Sequence, residues 1–95
     1  MQDADAKAIL STKTHPRVTE ESVNAKIGVV DYQMHGSMTI CVITMKNGYK
    51  VVGKSAPASV DNFDASVGEH YAYKDAYRQI WPLEGYLLKE QLTHG

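Results

Sequence analysis

A chain of 95 residues has room for one domain with a modest core, and 43% apolar with 22% charged residues is the balance of a globular protein, not of a disordered or membrane-spanning one. Ten Lys and Arg against eleven Asp and Glu leave a net charge of −1, which gives no overall attraction to nucleic-acid backbones or anionic membranes. No apolar run approaches the ~20 residues of a spanning helix, and the start MQDADAKAIL is acidic, unlike a secretory signal, so a cytoplasmic protein is expected.

Residues 1–18 carry little apolar periodicity beyond Ile9 and Leu10, and Pro16 is unfriendly to helix, so this segment is expected to be a flexible or partner-stabilised arm. Residues 19–95 then form a single α+β domain. In VTEESVNAKI, Thr19 suits an N-cap with Ser22 three residues on, and Glu20 and Glu21 suit the first-turn dipole. Val23 and Ile27 lie one turn apart, which predicts a short first helix.

From Gly28 the period changes. GVVDYQM predicts a strand, HGS a tight connection and MTICVITM a second strand of continuous β-branched and apolar residues. Within that run the single cysteine, Cys41, excludes an intrachain disulfide and reads as a buried thiol. Asn47-Gly48 is a strong hairpin signal of the type I′ kind and leads into YKVVGKS as a third strand. A two-residue turn there sets Thr44 opposite Val51 and Ile43 opposite Val52. Met38, Ile40 and Val42 then share one face of the middle strand, and Cys41, Ile43 and Met45 the other. So short a chain can cover only one of these faces with helices, so the other is expected either to curl over the arm or to meet another copy, which makes a homo-oligomer through the second sheet face an expectation of the pattern.

After Pro57, Ser59 suits an N-cap with Asp61 in its first turn, and Gly68 is expected to divide a turn near Phe63 from a longer helix beginning near Glu69. Tyr73, Ala76, Tyr77, Ile80 and Trp81 follow helical spacing. Pro82 disfavours helix at Trp81 yet suits the first turn of a new one, so a bend and a restart as PLEGYLLKEQL are expected, with Leu83, Leu87 and Leu88 inward and Gly85 allowing close backbone approach. The predicted fold is α+β: a short N-terminal helix, a three-stranded antiparallel meander, and C-terminal helices bent at Pro82 and packed on one sheet face.

Gly48 to Ser55, GYKVVGKS, matches the phosphate-loop pattern, but its middle residues are those of a strand and Pro57 obstructs the helix the loop requires. His15, His35, His70 and His94 are scattered without metal-ligand spacing, and no nucleophile elbow is present. No catalytic residue, metal or cofactor is expected. A polar and aromatic group stands out instead: Lys54 and Ser55 ending a strand, Asn62 and Asp64 around Phe63, and Tyr71, Tyr73, Lys74, Tyr77 and Arg78 on a helix. Tyrosines beside cations can stack a base and hold a phosphate. In the plainer reading Tyr73 and Tyr77 are core with wet tips, Lys74 and Arg78 an exposed cationic pair, and Asn62-Phe63-Asp64 a local cap.

VTEESV, TICVITMKNGYKVVGKSA, NFDASVG and above all KDAYRQIWPLEGYLLKEQL resemble a family of small tailed-phage and prophage proteins labelled gp-forty-nine/sixty-six, over about residues 18–92. The chain departs from the family pattern at Ala56-Pro57-Ala58-Ser59 and at Glu69-His70-Tyr71. The resemblance implies a phage protein acting in the infected bacterial cell. By analogy with small phage proteins that disable host functions, the expected role is a counter-defence binding protein, a homo-oligomer that sequesters a nucleotide-derived immune signal. Lys54, Lys74 and Arg78 would contact phosphate, Tyr71 or Tyr73 would stack a base, Asn62 would read a polar edge, and Ser55 and Asp64 would complete the site. The alternatives are an inhibitor or adaptor on a host protein and a nucleic-acid-binding accessory protein, the latter opposed by the near-zero net charge.

Overall fold

The computed structural model describes residues 16–94. Helix α1 (Glu20–Asn24) is followed by strands β1 (Ile27–His35), β2 (Met38–Met45) and β3 (Lys50–Ser55), a 3₁₀ turn (Val60–Asn62), and helices α2 (Ala65–Tyr77) and α3 (Ile80–His94). The strands form one antiparallel sheet in the order β1-β2-β3, an α+β meander with a bent C-terminal helical segment. Most of the expected N-terminal arm lies outside the described residues. Within the remainder, Val18 packs against the core.

Local chemistry sets the element boundaries. Thr19 caps α1, its hydroxyl accepting from Ser22 N–H at 3.0 Å, while Ser22 Oγ accepts from Thr19 N–H at 2.9 Å, so serine closes the capping box where Glu is more usual. Gly36, at φ +61, turns β1 into β2 in two residues, the glycine-first pattern of a type II′ turn. Ser59 Oγ accepts from Asp61 N–H and opens the 3₁₀ turn, as expected.

The second hairpin differs from the expected one. Among the loop residues only Gly48 has positive φ, at +92, whereas a type I′ turn needs Asn47 there as well. Met45 N–H donates to Tyr49 C=O and Gly48 N–H donates to Met45 C=O, so Lys46-Asn47-Gly48 is a three-residue loop ending in a left-handed glycine. Asn47 Oδ1 accepts from Tyr49 N–H and completes it. The register therefore shifts by one: Ile43 pairs with Val51, Thr44 with Lys50, and Val42 with Val52. This slip turns Val51 inward and Val52 outward.

The inner face of the sheet, carrying Thr39, Cys41, Ile43, Met45, Val51 and Gly53, is covered by α2. Gly53 is where helix and sheet approach most closely, since a Cβ there would stand 2.2 Å from both Ala72 O and Ala76 N. Two alanines over a glycine let α2 sit directly on β3. Gly68 lies within α2, not at a break, and its lack of a side chain admits Thr39, since a Cβ there would lie 2.5 Å from Thr39 Oγ1. Gly85 has no comparable neighbour, so the close approach expected of it falls to Gly53.

The C-terminal helix breaks at Arg78–Gln79, ahead of Pro82. Proline at one position removes the bond to the carbonyl four residues back and its ring crowds that carbonyl, which here belongs to Arg78. Pro82 is thus felt upstream and lies in the first turn of α3. Ile80 is buried and Trp81 meets the ring of Tyr77 edge-on at 6.5 Å, closing the end of the core. Leu83 and Leu87, expected inward, are each 43% exposed, and every described residue after Leu88 is exposed, so only the first turns of α3 rest on the body.

Candidate functional site

The flank of α2 nearest β3 is assembled from backbone polarity. As an edge strand, β3 presents N–H and C=O groups that lack a neighbouring strand. Asp75 Oδ2 accepts from Lys54 N–H at 3.0 Å and Gln79 Nε2 donates to Val52 C=O at 2.7 Å, so one side chain on α2 and one just past its end close this edge. The other Asp75 oxygen accepts from the Arg78 guanidinium. Neither Asp75 nor Gln79 stood out in the sequence. The available signal was their position, flanking the sheet-facing Ala72 and Ala76 at helical spacing.

Among the expected site residues, Tyr71, Lys74 and Arg78 lie on this same flank, exposed and at i, i+3 and i+7. Lys54 is joined to them only through its backbone. Its side chain, alternating with inward Gly53, belongs to the outer sheet face. Tyr73 faces the other way and stacks on Tyr77 with ring centroids 5.7 Å apart. The expected cluster is therefore divided between two sides of α2.

Ser55, Asn62 and Asp64 belong to the passage from β3 into α2. Asp64 is its N-cap: Oδ1 accepts from Ser66 Oγ at 2.7 Å, Ser66 N–H at 3.0 Å and Val67 N–H at 3.2 Å. The Ser66 hydroxyl bond, followed by that of Val67 N–H, holds this carboxyl below its ordinary pKa. The anion position at the start of α2 is thus already filled by the chain's own carboxylate. Lys74 and Arg78 sit instead at the C-terminal end of α2, where the dipole suits cations, immediately before an α3 whose first turn carries no acid.

On the β1 side, Tyr32, Cys41, Tyr73 and Tyr77 form a weakly polar aromatic wall. Burial is the first cause of a raised pKa in each, with neighbouring acidic groups adding to it in the same direction. Cys41 is fully buried and stays a thiol, without the thiolate character a nucleophile needs. The Tyr77 hydroxyl is enclosed, and the neighbouring Trp81 indole, which offsets the rise, does not reach full hydrogen-bond geometry.

A separate open groove of about 450 Å³ lies between the second hairpin loop and the first turns of α3, floored by Met45, Ile80, Leu83 and Leu87. Its wall includes Glu84, whose side chain is only 11% exposed and pairs with Lys26 Nζ at 2.9 Å. None of the expected site residues reaches this groove. The GYKVVGKS stretch forms a strand with no helix directly after it, so it makes no phosphate loop.

The chain matches no curated protein and no solved structure. Residues 18–92, which run from the core contact at Val18 through all but the end of α3, match the model of a phage protein family described as N4 Gp49/phage Sf6 gene 66. The chain belongs to this family of phage proteins.

Proposed function

We propose that the protein is a phage counter-defence protein that binds a nucleotide-derived host immune signal and holds it unchanged, in the cytoplasm of the infected bacterial cell. The observation that carries this reading is the exposed row of Tyr71, Lys74 and Arg78 along one flank of α2, in a chain whose net charge is −1. Lys74 and Arg78 supply phosphate contacts, Tyr71 a stacking surface, and Asn62, at the entry to α2, a reader of a polar base edge. Family membership supports the phage provenance, and the cation-aromatic row supports the ligand class. Asp75 serves as the positioning residue, since it fixes Arg78 and anchors the helix to β3.

Calorimetry of the purified protein against a panel of cyclic and ADP-ribose-type nucleotides tests the reading, with mass spectrometry of what is released on denaturation. Binding weakened on the order of a hundredfold by Lys74→Ala with Arg78→Ala, and recovery of intact ligand, are expected, two charge-assisted contacts being lost. Recovery of a cleaved product would instead establish an enzyme.

A second reading, an inhibitor or adaptor of a host protein, rests on α3, where Leu83, Tyr86, Leu87 and Leu92 are exposed on a helix that runs past the body. Capture of a host protein that is lost with Leu87→Asp, together with no nucleotide binding, would favour it.

A further inference from the structure

The outer face of the sheet is apolar at its centre and oppositely charged at its two edges. Strand alternation and register place Val29, Met38, Ile40, Val42 and Val52 on this face as one contiguous patch. Val29 and Val52 are each more than half exposed. Across the middle of the patch Asp31, Val42 and Val52 lie in one row, with Asp31 on β1, while Lys50 and Lys54 flank Val52 on β3. Lys50 leans across the outer face toward β2, its Nζ donating to Thr44 Oγ1 at 2.8 Å. The side chains of Asp31 and Lys54 make no hydrogen bond or ion pair among the described residues.

This arrangement complements itself. A two-fold axis through the centre of the face and parallel to the strands carries β1 of one copy over β3 of the other. Val42 then meets its own counterpart, and each Asp31 comes to lie over the partner's Val52, between the partner's Lys50 and the partner's Lys54. Two sheets packed about 10 Å apart would bury all five apolar residues and pair the acid edge with the basic edge twice. Rotation about the perpendicular in-plane axis would instead set Asp31 against Asp31 and the lysines against lysines.

We infer that the outer sheet face is an isologous interface with a second copy of this chain, related by a two-fold axis along the strands. Asp31 sets its register and the Val42 row forms its centre. The interface is separate from the Tyr71, Lys74 and Arg78 row, so loss of the dimer and loss of nucleotide binding are distinguishable outcomes.

Sedimentation velocity over a concentration series, with thermal melting as a check of folding, tests the inference. The wild type is expected to sediment as a dimer. Asp31→Lys places a cation between two lysines and is expected to weaken the dimer on the order of a hundredfold without unfolding the chain, since like charges brought together at an interface are strongly disfavoured. Adding Lys50→Glu and Lys54→Glu to Asp31→Lys reverses the edges and is expected to restore it. A monomeric wild type overturns the inference and leaves the face to a partner of another kind. An Asp31→Lys variant that still dimerises as the wild type does, or a charge swap that restores nothing, overturns it too.

Discussion

Along β2, Cys41 and Ile43 point to one side of the sheet and Ile40 and Val42 to the other, and the two sides are equally apolar in sequence. The inner pair is fully buried beneath α2, whereas the outer pair is only partly covered, among residues that include the half-exposed Val29 and Val52. What separates the faces is the residue opposite on β3. Gly53 faces inward and lets Ala72 and Ala76 settle on the sheet, while Lys50 and Lys54 face outward and keep the chain's own helices off. Apolar content alone thus does not identify the core. Small residues on two facing elements do, because they permit the short separation that dispersion and close packing require.

The largest expected effect falls where that separation is smallest. Gly53→Val drives a branched side chain into the α2 backbone and is expected to prevent folding, and Gly53→Ala to cost roughly 3 kcal/mol, the upper range for overpacking, as measured by denaturant unfolding. Next comes the cavity at the centre of the same face. Ile43→Ala is expected to cost about 2–5 kcal/mol, while Val52→Thr, nine residues on but on the outer face, should stay within about 0.5 kcal/mol under monomeric conditions. Equal losses at the two positions would mean that the faces are not distinct in the monomer.

A smaller effect is expected from pH. Burial raises the pKa of Cys41, Tyr32, Tyr73 and Tyr77 on the inner side, so each binds its proton more tightly folded than unfolded. Their contribution is complete below the unfolded values, 9.0 for the thiol and 10.0 for the phenols, and declines as pH rises through that range toward the higher folded values. Melting temperature should therefore fall from about pH 9 upward, and Cys41→Ala should delay the onset. An unchanged profile in that variant would assign the alkaline loss to other groups.

The meander, the three-part helical content and the capping residues Thr19 and Ser59 were legible in the sequence because each rests on chemistry within a few residues. The register was not, because Asn-Gly suits both a two-residue turn and a three-residue loop that ends on glycine, and these differ by one residue in pairing. The close-packing glycine was likewise hidden. Gly85 and Gly53 look alike in a sequence, and only the path of α2 shows which one lies under a helix. The candidate site was half legible: Tyr71, Lys74 and Arg78 share a flank, while Tyr73, two residues from Tyr71, necessarily points away on a helix. Asp75 and Gln79 escaped notice because their partners are backbone groups of a strand about twenty or more residues distant.

Three of the four methionines allow the two faces to be read in a single solution measurement, the rate of sulfoxide formation by dilute peroxide followed by peptide mass spectrometry. Met45 lies in the inner core, Met34 is 46% exposed at the uncovered end of β1, and Met38 lies on the outer face. Closure of the inner face by the fold and of the outer face by a second copy predicts fast oxidation of Met34 and slow oxidation of Met45 in every variant. Met38 should be slow in the wild type at high concentration and fast in Asp31→Lys. Equal Met38 rates in the two proteins at all concentrations would contradict the account.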